Sequence, residues 1–234
     1  DAWRKVVASL FSARAIEYRR QHGLSPYAGH MAVGCLLMVP AASSGVIYTI
    51  DPSAPRSGAL IVSAARGLGV PVVEGRSAVD RFTLSRATPH RVLAGEIAEK
   101  REMCVAGGDA GTRMVALPPE QWNVPAVAAE TLAMLASLAL RIERHMRCPQ
   151  DIEWALDDKG DVSVLQARPL HVGPEARPQT EEILSVRTRH SVLMHGRGEV
   201  ACRGIGVGRV FLVGSDEKTE GFVPGDILVA QFAS

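Results

Sequence analysis

The chain has 234 residues, with 26 basic and 25 acidic side chains and a formal net charge of +1. Of its residues 47% are hydrophobic and 22% are charged, the composition of a globular protein long enough to bury a core. Because no basic patch or tail is visible, the sequence argues against a nucleic-acid binder or a membrane-surface protein. It also contains no apolar run of membrane-spanning length and no secretory leader pattern.

The four cysteines, Cys35, Cys104, Cys148 and Cys202, are widely separated. A zinc site built from cysteine needs two of them a few residues apart, and a disulfide framework needs a denser set. The spacing therefore argues against both and predicts a reducing, cytoplasmic location.

The first half of the chain predicts one helix followed by strands. Trp3 to Arg20 carries apolar residues at helical spacing, and Gly23 is placed to end the helix. Further along, apolar runs bounded by turn residues predict five strands. They are Met31 to Val39, Val46 to Ile50, Leu60 to Ala65, Arg81 to Leu84 and, on the weakest pattern, His90 to Glu99.

The second half predicts a long helix and a hairpin. Gly107 to Gly111 predicts a loop, and Pro125 to Met146 predicts a helix that Pro149 follows. Two more strands are predicted on either side of a turn at Asp157 to Gly160. The interior stripe predicted for the helix is Val127, Leu132, Leu135, Leu138, Leu140 and Ile142.

A change in composition predicts a domain boundary. Gly173 to Glu182 is rich in proline and charge and has no apolar period, which is typical of a linker. The expected fold class is α+β, with a first domain over residues 1–172, the linker over 173–182 and a β-rich second domain over 183–234. The chain starts without Met and stops just after a strand-like run, so a piece of a longer protein is expected.

The predicted hairpin carries the most informative residues. With the turn at Asp157 to Gly160, residue 156 faces residue 161, which places Glu153 opposite Val164. The same register places Asp151 opposite Gln166. Side chains alternate between the faces of a strand, so one face is apolar and the other is polar. The apolar face is Ile152, Trp154, Leu165 and Ala167, and the polar face is Asp151, Glu153, Gln166 and Arg168.

The polar face permits two interpretations. Glu153 and Gln166 offer a carboxylate and an amide oxygen at diagonal distance, which suits a hard cation such as magnesium. Arg168 points to the same side and can brace phosphate oxygens during phosphoryl transfer. From spacing alone the second interpretation is favoured, a solvated surface hairpin with an ion pair from Asp151 or Glu153 to Arg168.

Segments along nearly the whole chain resemble, in order, the pyruvate phosphate dikinase and phosphoenolpyruvate synthase family. The hairpin strands, Gln150 to Ala155 and Val164 to Pro169, are similar to those that close its ATP-grasp domain. The resemblance implies an ATP-grasp lobe with a mainly antiparallel sheet and flanking helices, followed by a partial, β-rich swivelling phosphohistidine domain. The other similar segments are Ser9 to Arg19, Ser44 to Pro52, Gly67 to Gly75, Cys202 to Gly208 and Pro224 to Ala230.

The resemblance implies roles in binding Mg²⁺ and ATP. Glu153 and Gln166 are the implied magnesium ligands, and Arg168 is the residue implied to clamp the transferring phosphate. The strand from Leu36 to Val39 is the implied hinge beside adenine, through backbone groups of Leu37 and Val39 and the side chain of Met38. For each of these hinge residues, plain core packing is nearly as good an interpretation.

The resemblance further implies that the parent protein is an enzyme, a kinase with paired acceptors. A phosphoenolpyruvate synthase is favoured, which converts ATP, pyruvate and water into phosphoenolpyruvate, AMP and phosphate through a phosphohistidine. The implied partners are ATP and pyruvate, without nucleic acid or membrane, and a homodimer is left open. His171, His190 and His195 do not sit in the family's phosphohistidine motif, and this chain alone is expected to be inactive.

Two alternatives to the synthase stay open. The acceptor domain is not in this sequence, so a kinase similar to the rifampicin phosphotransferases is the first. The second is a binding or regulatory module whose nucleotide site has decayed. It is motivated by Val70, which stands where the family usually has glutamate, and by Leu36, which stands where a glutamine is common. Glu74 lies a turn away, and whether it substitutes for the missing carboxylate stays open.

Overall fold

Two short helices stand where the sequence predicts one. In the computed structural model, α1 spans Ala2–Ala8 and α2 spans Ala13–Gln21, with a 3-10 turn between them. The single-helix prediction is wrong at Ser12, which has an extended backbone and caps α2 with its side chain, because serine favours N-caps over helix interiors. The expected end is confirmed by Gly23, whose φ is +67°. The structure describes residues 2–25, 29–73, 75, 78–107, 111–170, 191, 206–213 and 221–230.

The strands form one large sheet and two small ones. Both helices belong to a first compact unit, Asp1–Met38, and the strands belong to a second, Val39–Ser234. The strands are β1 (Ser43–Tyr48), β2 (Ala59–Arg66), β3 (Asp80–Ser85), β4 (Val92–Glu96), β5 (Glu102–Ala106), β6 (Thr112–Ala116), β7 (Gln150–Leu156), β8 (Val162–Pro169), β9 (Val210–Val213) and β10 (Ile227–Ala230). The large sheet is antiparallel in the order β4-β3-β2-β1-β7-β8, β5 pairs with β6, and β9 pairs in parallel with β10.

Helix α4 (Ala129–Met146) covers one face of the large sheet. Alternate residues of β1, β2, β3 and β7 point toward this helix and are almost fully buried, whereas their neighbours point to the other face. No helix among the described residues is long and apolar enough to cross a membrane. The core consists of Ile47, Leu60, Val62, Ala64, Phe82, Leu84, Ile152 and Trp154 from the sheet, Leu132, Leu135, Ala136, Ala139 and Leu140 from α4, and Ala126 and Val127 before it.

A glycine in β1 makes room for the largest core side chain. Gly45 lies opposite Trp154 of β7, and a Cβ at Gly45 would lie 1.8 Å from the carbonyl oxygen of Ser63 and 2.9 Å from the Trp154 ring. Any side chain at this position would therefore displace both the neighbouring strand and the tryptophan. The fit explains how an indole packs against the centre of a tightly paired sheet.

Most of the predicted strands are confirmed, with shifted ends, and one is wrong. Met31 to Val39 forms no strand, and the side chains of Leu36 and Leu37 are 88% and 97% exposed. An apolar run becomes a strand only where it finds a pairing partner, and no described residue pairs with this one. The prediction missed α3 (Val70–Val73), β5 and β6.

The long helix and the region after it also differ from expectation. Helix α4 begins at Ala129 rather than Pro125, and it ends at Met146, before Pro149, with Arg147 in a left-handed conformation. Of its predicted stripe, Leu138 and Ile142 are only partly buried. The predicted linker, His171, His190 and His195 lie outside the described residues. So do Glu74 and Cys202, and the described cysteines form no disulfide.

A buried ion pair ties three segments together. Lys100 and Asp80 are 2% and 0% exposed, and the Lys100 ammonium donates to the Asp80 carboxylate. The same carboxylate accepts hydrogen bonds from the backbone N–H groups of Ala98 (3.0 Å) and Ala126 (2.6 Å). It thereby connects the start of β3, the end of β4 and the approach to α4.

We expect Lys100→Met to lower the free energy of unfolding by about 3–5 kcal/mol, because it leaves a buried carboxylate without its counter-charge. Glu99→Ala is the matched control, since it removes the neighbouring, exposed pair with Arg101, which contributes at most about 1 kcal/mol. Urea denaturation of both variants measures the difference. Equal, small effects would contradict the assigned role of Lys100.

A second ion pair fastens α4 to the sheet. Arg86, just beyond β3, donates to both oxygens of Glu143 in α4 (3.0 and 2.6 Å) and to the carbonyl oxygen of Thr49. Burial alone would raise the pKa of Glu143, but hydrogen bonds from Arg86 and Thr49 together with the guanidinium charge lower it below its ordinary value. The folded state therefore binds the proton more weakly than the unfolded chain.

This pair makes stability depend on pH in a defined direction. Its contribution is fully present above the ordinary glutamate pKa of 4.5, and it is lost as the pH falls through the lower pKa of the folded state. We expect the difference in unfolding free energy between the wild type and Glu143→Gln to shrink below that pH. Glu120→Gln, at an exposed carboxylate, is the control. A difference that stays constant down to pH 3 would refute the assignment.

Candidate functional site

The hairpin turn shifts the predicted register by one residue. The Asp157 N–H donates to the carbonyl oxygen of Asp161 (3.1 Å), so these two residues close the loop and Leu156 pairs with Val162. The Asp157 carboxylate accepts from the N–H groups of Lys159 (2.9 Å) and Asp161 (2.8 Å). Such a three-residue loop needs a left-handed residue near its end, and Gly160 supplies it with φ +89°.

A β-bulge shifts the register by one more residue. Trp154 pairs with Val164 but Glu153 pairs with Gln166, which leaves Leu165 as the extra residue. The predicted register is therefore wrong by two positions, because neither the loop length nor the bulge follows from alternation alone. As a result Glu153 lies directly opposite Gln166, not opposite Val164.

The two faces of the hairpin largely keep their predicted character. Ile152 and Trp154 are buried in the core and Ala167 packs against it. Leu165 was expected on this face, but it is 44% exposed, since a bulged residue leaves the regular alternation.

Arg168 is held by Asp151 across the two strands. The residues are directly opposite each other, with Nε and Nη2 of Arg168 2.8 and 2.7 Å from one Asp151 oxygen. The hydrogen bond and charge of Asp151 raise the pKa of Arg168 above its ordinary value. This is the ion pair of the surface-hairpin interpretation, but it is asymmetric, because Asp151 is 9% exposed and Arg168 is 61% exposed. Within the described ranges, Asp151 is the one hydrogen-bond partner of Arg168, which has further N–H donors.

Glu153 and Gln166 fit a cation site. Directly opposed residues of an antiparallel pair have Cα atoms about 5 Å apart and side chains on the same face. Glu153 is half-buried, and within the described part of the chain its carboxylate has no hydrogen-bond partner, although it acts electrostatically on Arg168. The described residues contain no group of three or more His, Cys, Asp or Glu that could hold a metal alone. Magnesium commonly takes only one or two protein oxygens, with water and phosphate completing its shell.

The neighbouring strand β1 continues the polar face. Val46 lies opposite Glu153, and Tyr48 lies opposite Asp151, so both belong to this face of the sheet. Ser44, two residues before Val46, is covered by the segment that leads into α3. Sequence reasoning missed Tyr48, Ser44 and α3. The pairing of β1 with β7 places Tyr48 and Ser44 on this face, and α3 is placed by its contact with β1.

The predicted adenine hinge is divided between the two compact units. Leu37 and Met38 belong to the first compact unit and Val39 to the second. All three have irregular backbone, and Leu37 and Met38 are exposed, so the core-packing interpretation is wrong for those two. Their role in nucleotide binding stays a prediction.

Comparison with known proteins gives the chain a family and several relatives. Residues 1–187 match the family of the pyruvate phosphate dikinase AMP/ATP-binding domain. The chain is 31% identical over 233 residues to a probable phosphoenolpyruvate synthase of Methanocaldococcus jannaschii. The matched region covers 98% of the chain and 19% of that relative. It is 31% identical over 236 residues to the phosphoenolpyruvate synthase of Pyrococcus furiosus, covering 98% of the chain and 28% of the relative.

A relative with a different name also matches. The chain is 36% identical over 163 residues to a rifampicin phosphotransferase of a Streptomyces species, covering 70% of the chain and 18% of that relative. The chain thus spans less than a third of the length of each of these three curated relatives. Because the family model matches most of its residues, the chain belongs to the pyruvate phosphate dikinase AMP/ATP-binding domain family.

Proposed function

We propose that the chain is the metal-binding half of an ATP-grasp domain in a phosphotransferase, and that its parent protein is a phosphoenolpyruvate synthase. The observation that carries the proposal is the direct pairing of Glu153 with Gln166 beside Arg168 on one face of the sheet. The relatives named phosphoenolpyruvate synthase support pyruvate as the acceptor. In this proposal the parent uses ATP and pyruvate in the cytoplasm, and it passes phosphate through a histidine outside this chain.

Each residue of the pair has a separate task. Glu153 supplies a charged oxygen and Gln166 a neutral one, so the pair binds a divalent cation without neutralising it completely. Bound magnesium would screen the charge on phosphate oxygens and so reduce their repulsion of an attacking group. The buried strand β7 and its ladder with β1 hold Glu153, which limits the reorganisation needed on binding.

Arg168 is the proposed phosphate clamp. Asp151 fixes one edge of its guanidinium, and among the described residues nothing else is hydrogen-bonded to the other edge, which can face an anion. A planar guanidinium with a fixed edge can meet two phosphate oxygens at once and stabilise charge that builds during transfer. Asp151 acts through Arg168, so we assign it a positioning role.

The domain organisation is part of the same proposal. The six-stranded sheet and α4 form part of the ATP-grasp lobe over residues 1–172, and residues 173–182 form the linker. The parallel pair β9 and β10 belongs to the start of the swivelling domain, residues 183–234, where Arg209 pairs with Asp226 (2.8 Å). Leu37, Met38 and Val39 form the adenine hinge once the rest of the ATP-grasp domain is present.

We expect Arg168→Ala in the full-length protein to lower the rate of ATP-dependent phosphate transfer to pyruvate by about a hundredfold or more, as removal of an oxyanion donor does. Arg101→Ala, at an exposed arginine outside the hairpin, is the control and should leave the rate unchanged. Phosphate release and phosphoenolpyruvate formation are measured with and without pyruvate. Turnover that does not need pyruvate would refute the synthase, and full activity of Arg168→Ala would refute the clamp.

We expect Glu153→Gln to weaken magnesium binding by about tenfold or more, because the site loses its charged ligand. Asp158→Asn changes an exposed carboxylate in the turn of the same hairpin and should leave the affinity intact. Mg²⁺ is titrated into each variant in the presence of ATP, and calorimetry measures the magnesium affinities that are compared. Equal magnesium affinities of the wild type and Glu153→Gln would contradict the assignment of Glu153 as a ligand.

Two other functions have specific support. The Streptomyces relative supports a kinase with an antibiotic acceptor, and phosphorylated rifampicin in a mass spectrum would establish it. The exposed Val70 at the start of α3 supports a decayed site, since the helix has no acidic residue in its first turn. Transfer of phosphate from ATP to a histidine of the full-length protein would exclude decay.

A further inference from the structure

A short segment lies against the polar face at the start of β1. This segment, Gly67 to Val73, is called the glycine segment here. Its backbone N–H groups donate to the carbonyl oxygens of Ala42 (2.9 Å) and Cys104 (2.8 Å). From the sheet, the Ser44 hydroxyl donates to the carbonyl oxygen of Gly67 (2.6 Å). The second half of the segment is α3, which contacts β1.

The start of the glycine segment has little freedom to move. Gly67 has φ +76°, and a Cβ on it would lie 2.1 Å from the carbonyl oxygen of Cys104. Only glycine therefore permits this approach, and the carbonyl oxygen that Ser44 contacts is held in one place. A Cβ on Gly69 would lie 3.3 Å from the Ser44 hydroxyl oxygen, so the segment also packs directly over this serine.

Ser44 belongs to the same face as the proposed cation pair. Side chains at positions 44 and 46 of β1 point to one side of the sheet, and Val46 lies directly opposite Glu153. The serine itself is 1% exposed because the glycine segment covers it. Ser44 and Ala155 therefore form the row of this face next to the row that contains Val46, Glu153 and Gln166.

We propose that Ser44 is a positioning residue, whose hydroxyl fixes the glycine segment and thereby sets the wall that α3 forms beside the Glu153–Gln166 pair. The inference rests on the proposed function, because the ligand whose binding Ser44 affects is the magnesium complex of ATP. Val70 and Val73 of α3 are exposed, so the wall is apolar. It limits the space for the nucleotide without adding charge to the cation site.

Ser43 provides a matched control. It is the preceding residue of β1 and is also buried, at 3%. Its hydroxyl donates to the carbonyl oxygen of Ala126 at the same distance, 2.6 Å. Because it points to the opposite face, Ser43→Ala removes an equivalent hydrogen bond without touching the glycine segment. The two variants separate a loss of stability from a loss of position.

The experiment compares Ser44→Ala with Ser43→Ala in the full-length protein. We expect similar decreases in Tm for the two variants. Only Ser44→Ala should weaken binding of the magnesium complex of ATP, by about tenfold, which is typical when a residue that orients a metal site is removed. Calorimetry supplies the affinity. Only Ser44→Ala should also lose amide-exchange protection at Leu68, Val72 and Val73, whose N–H groups are hydrogen-bonded in the structure.

Amide exchange separates failure of this inference from failure of the proposed function. Unchanged protection of the glycine segment in Ser44→Ala would overturn the anchoring role whatever the ligand does. Equal weakening of nucleotide binding by both variants would overturn the positioning role, because general destabilisation would explain it. If the wild type binds no nucleotide, the proposed function fails, and lost protection in Ser44→Ala alone still supports the anchor.

Discussion

The packing of α4 against β7 and its neighbours decides which way every side chain of the hairpin points. Ile152 and Trp154 enter the core, and strand alternation then sends Asp151 and Glu153 to the other face. Burying two large apolar side chains contributes several kcal/mol, at about 25 cal/mol per Å² of area removed from water. The positions of the polar side chains are therefore a consequence of how the apolar face packs against α4.

The polar face combines rigid and movable parts. Glu153 lies on a strand paired on both sides, by β1 and β8, whereas Arg168 lies on the outer strand of the sheet. Asp151 compensates for this difference, because its nearly buried carboxylate needs a counter-charge and Arg168 supplies it. An exposed, long side chain on an edge strand is thus restrained by an anion of the interior strand. The arrangement keeps the guanidinium near the Glu153–Gln166 pair before any ligand is present.

Sequence patterns predicted the local elements well and the long-range contacts poorly. Apolar runs bounded by turn residues were enough to predict β2 and β3. Strand alternation was enough to predict most of the two faces of the hairpin, because burial enforces it. It could not predict the bulge at Leu165, which depends on packing between strands. Met31 to Val39 was predicted as a strand because it is apolar, although apolar character does not provide a pairing partner. Helix α3 is too short to show a period, so the segment that Ser44 anchors was visible only in the structure.

The bulge at Leu165 also bears on how the hairpin can change in evolution. A strand with regular pairing transmits every inserted or deleted residue to all positions beyond it, since one step reverses the faces. Between the turn and Gln166, however, the bulge already holds one surplus residue. Loss of one residue from Val162 to Leu165 can be absorbed by straightening the ladder, with Gln166 still opposite Glu153. Relatives can thus differ in length on the turn side of the bulge while the cation pair stays in register.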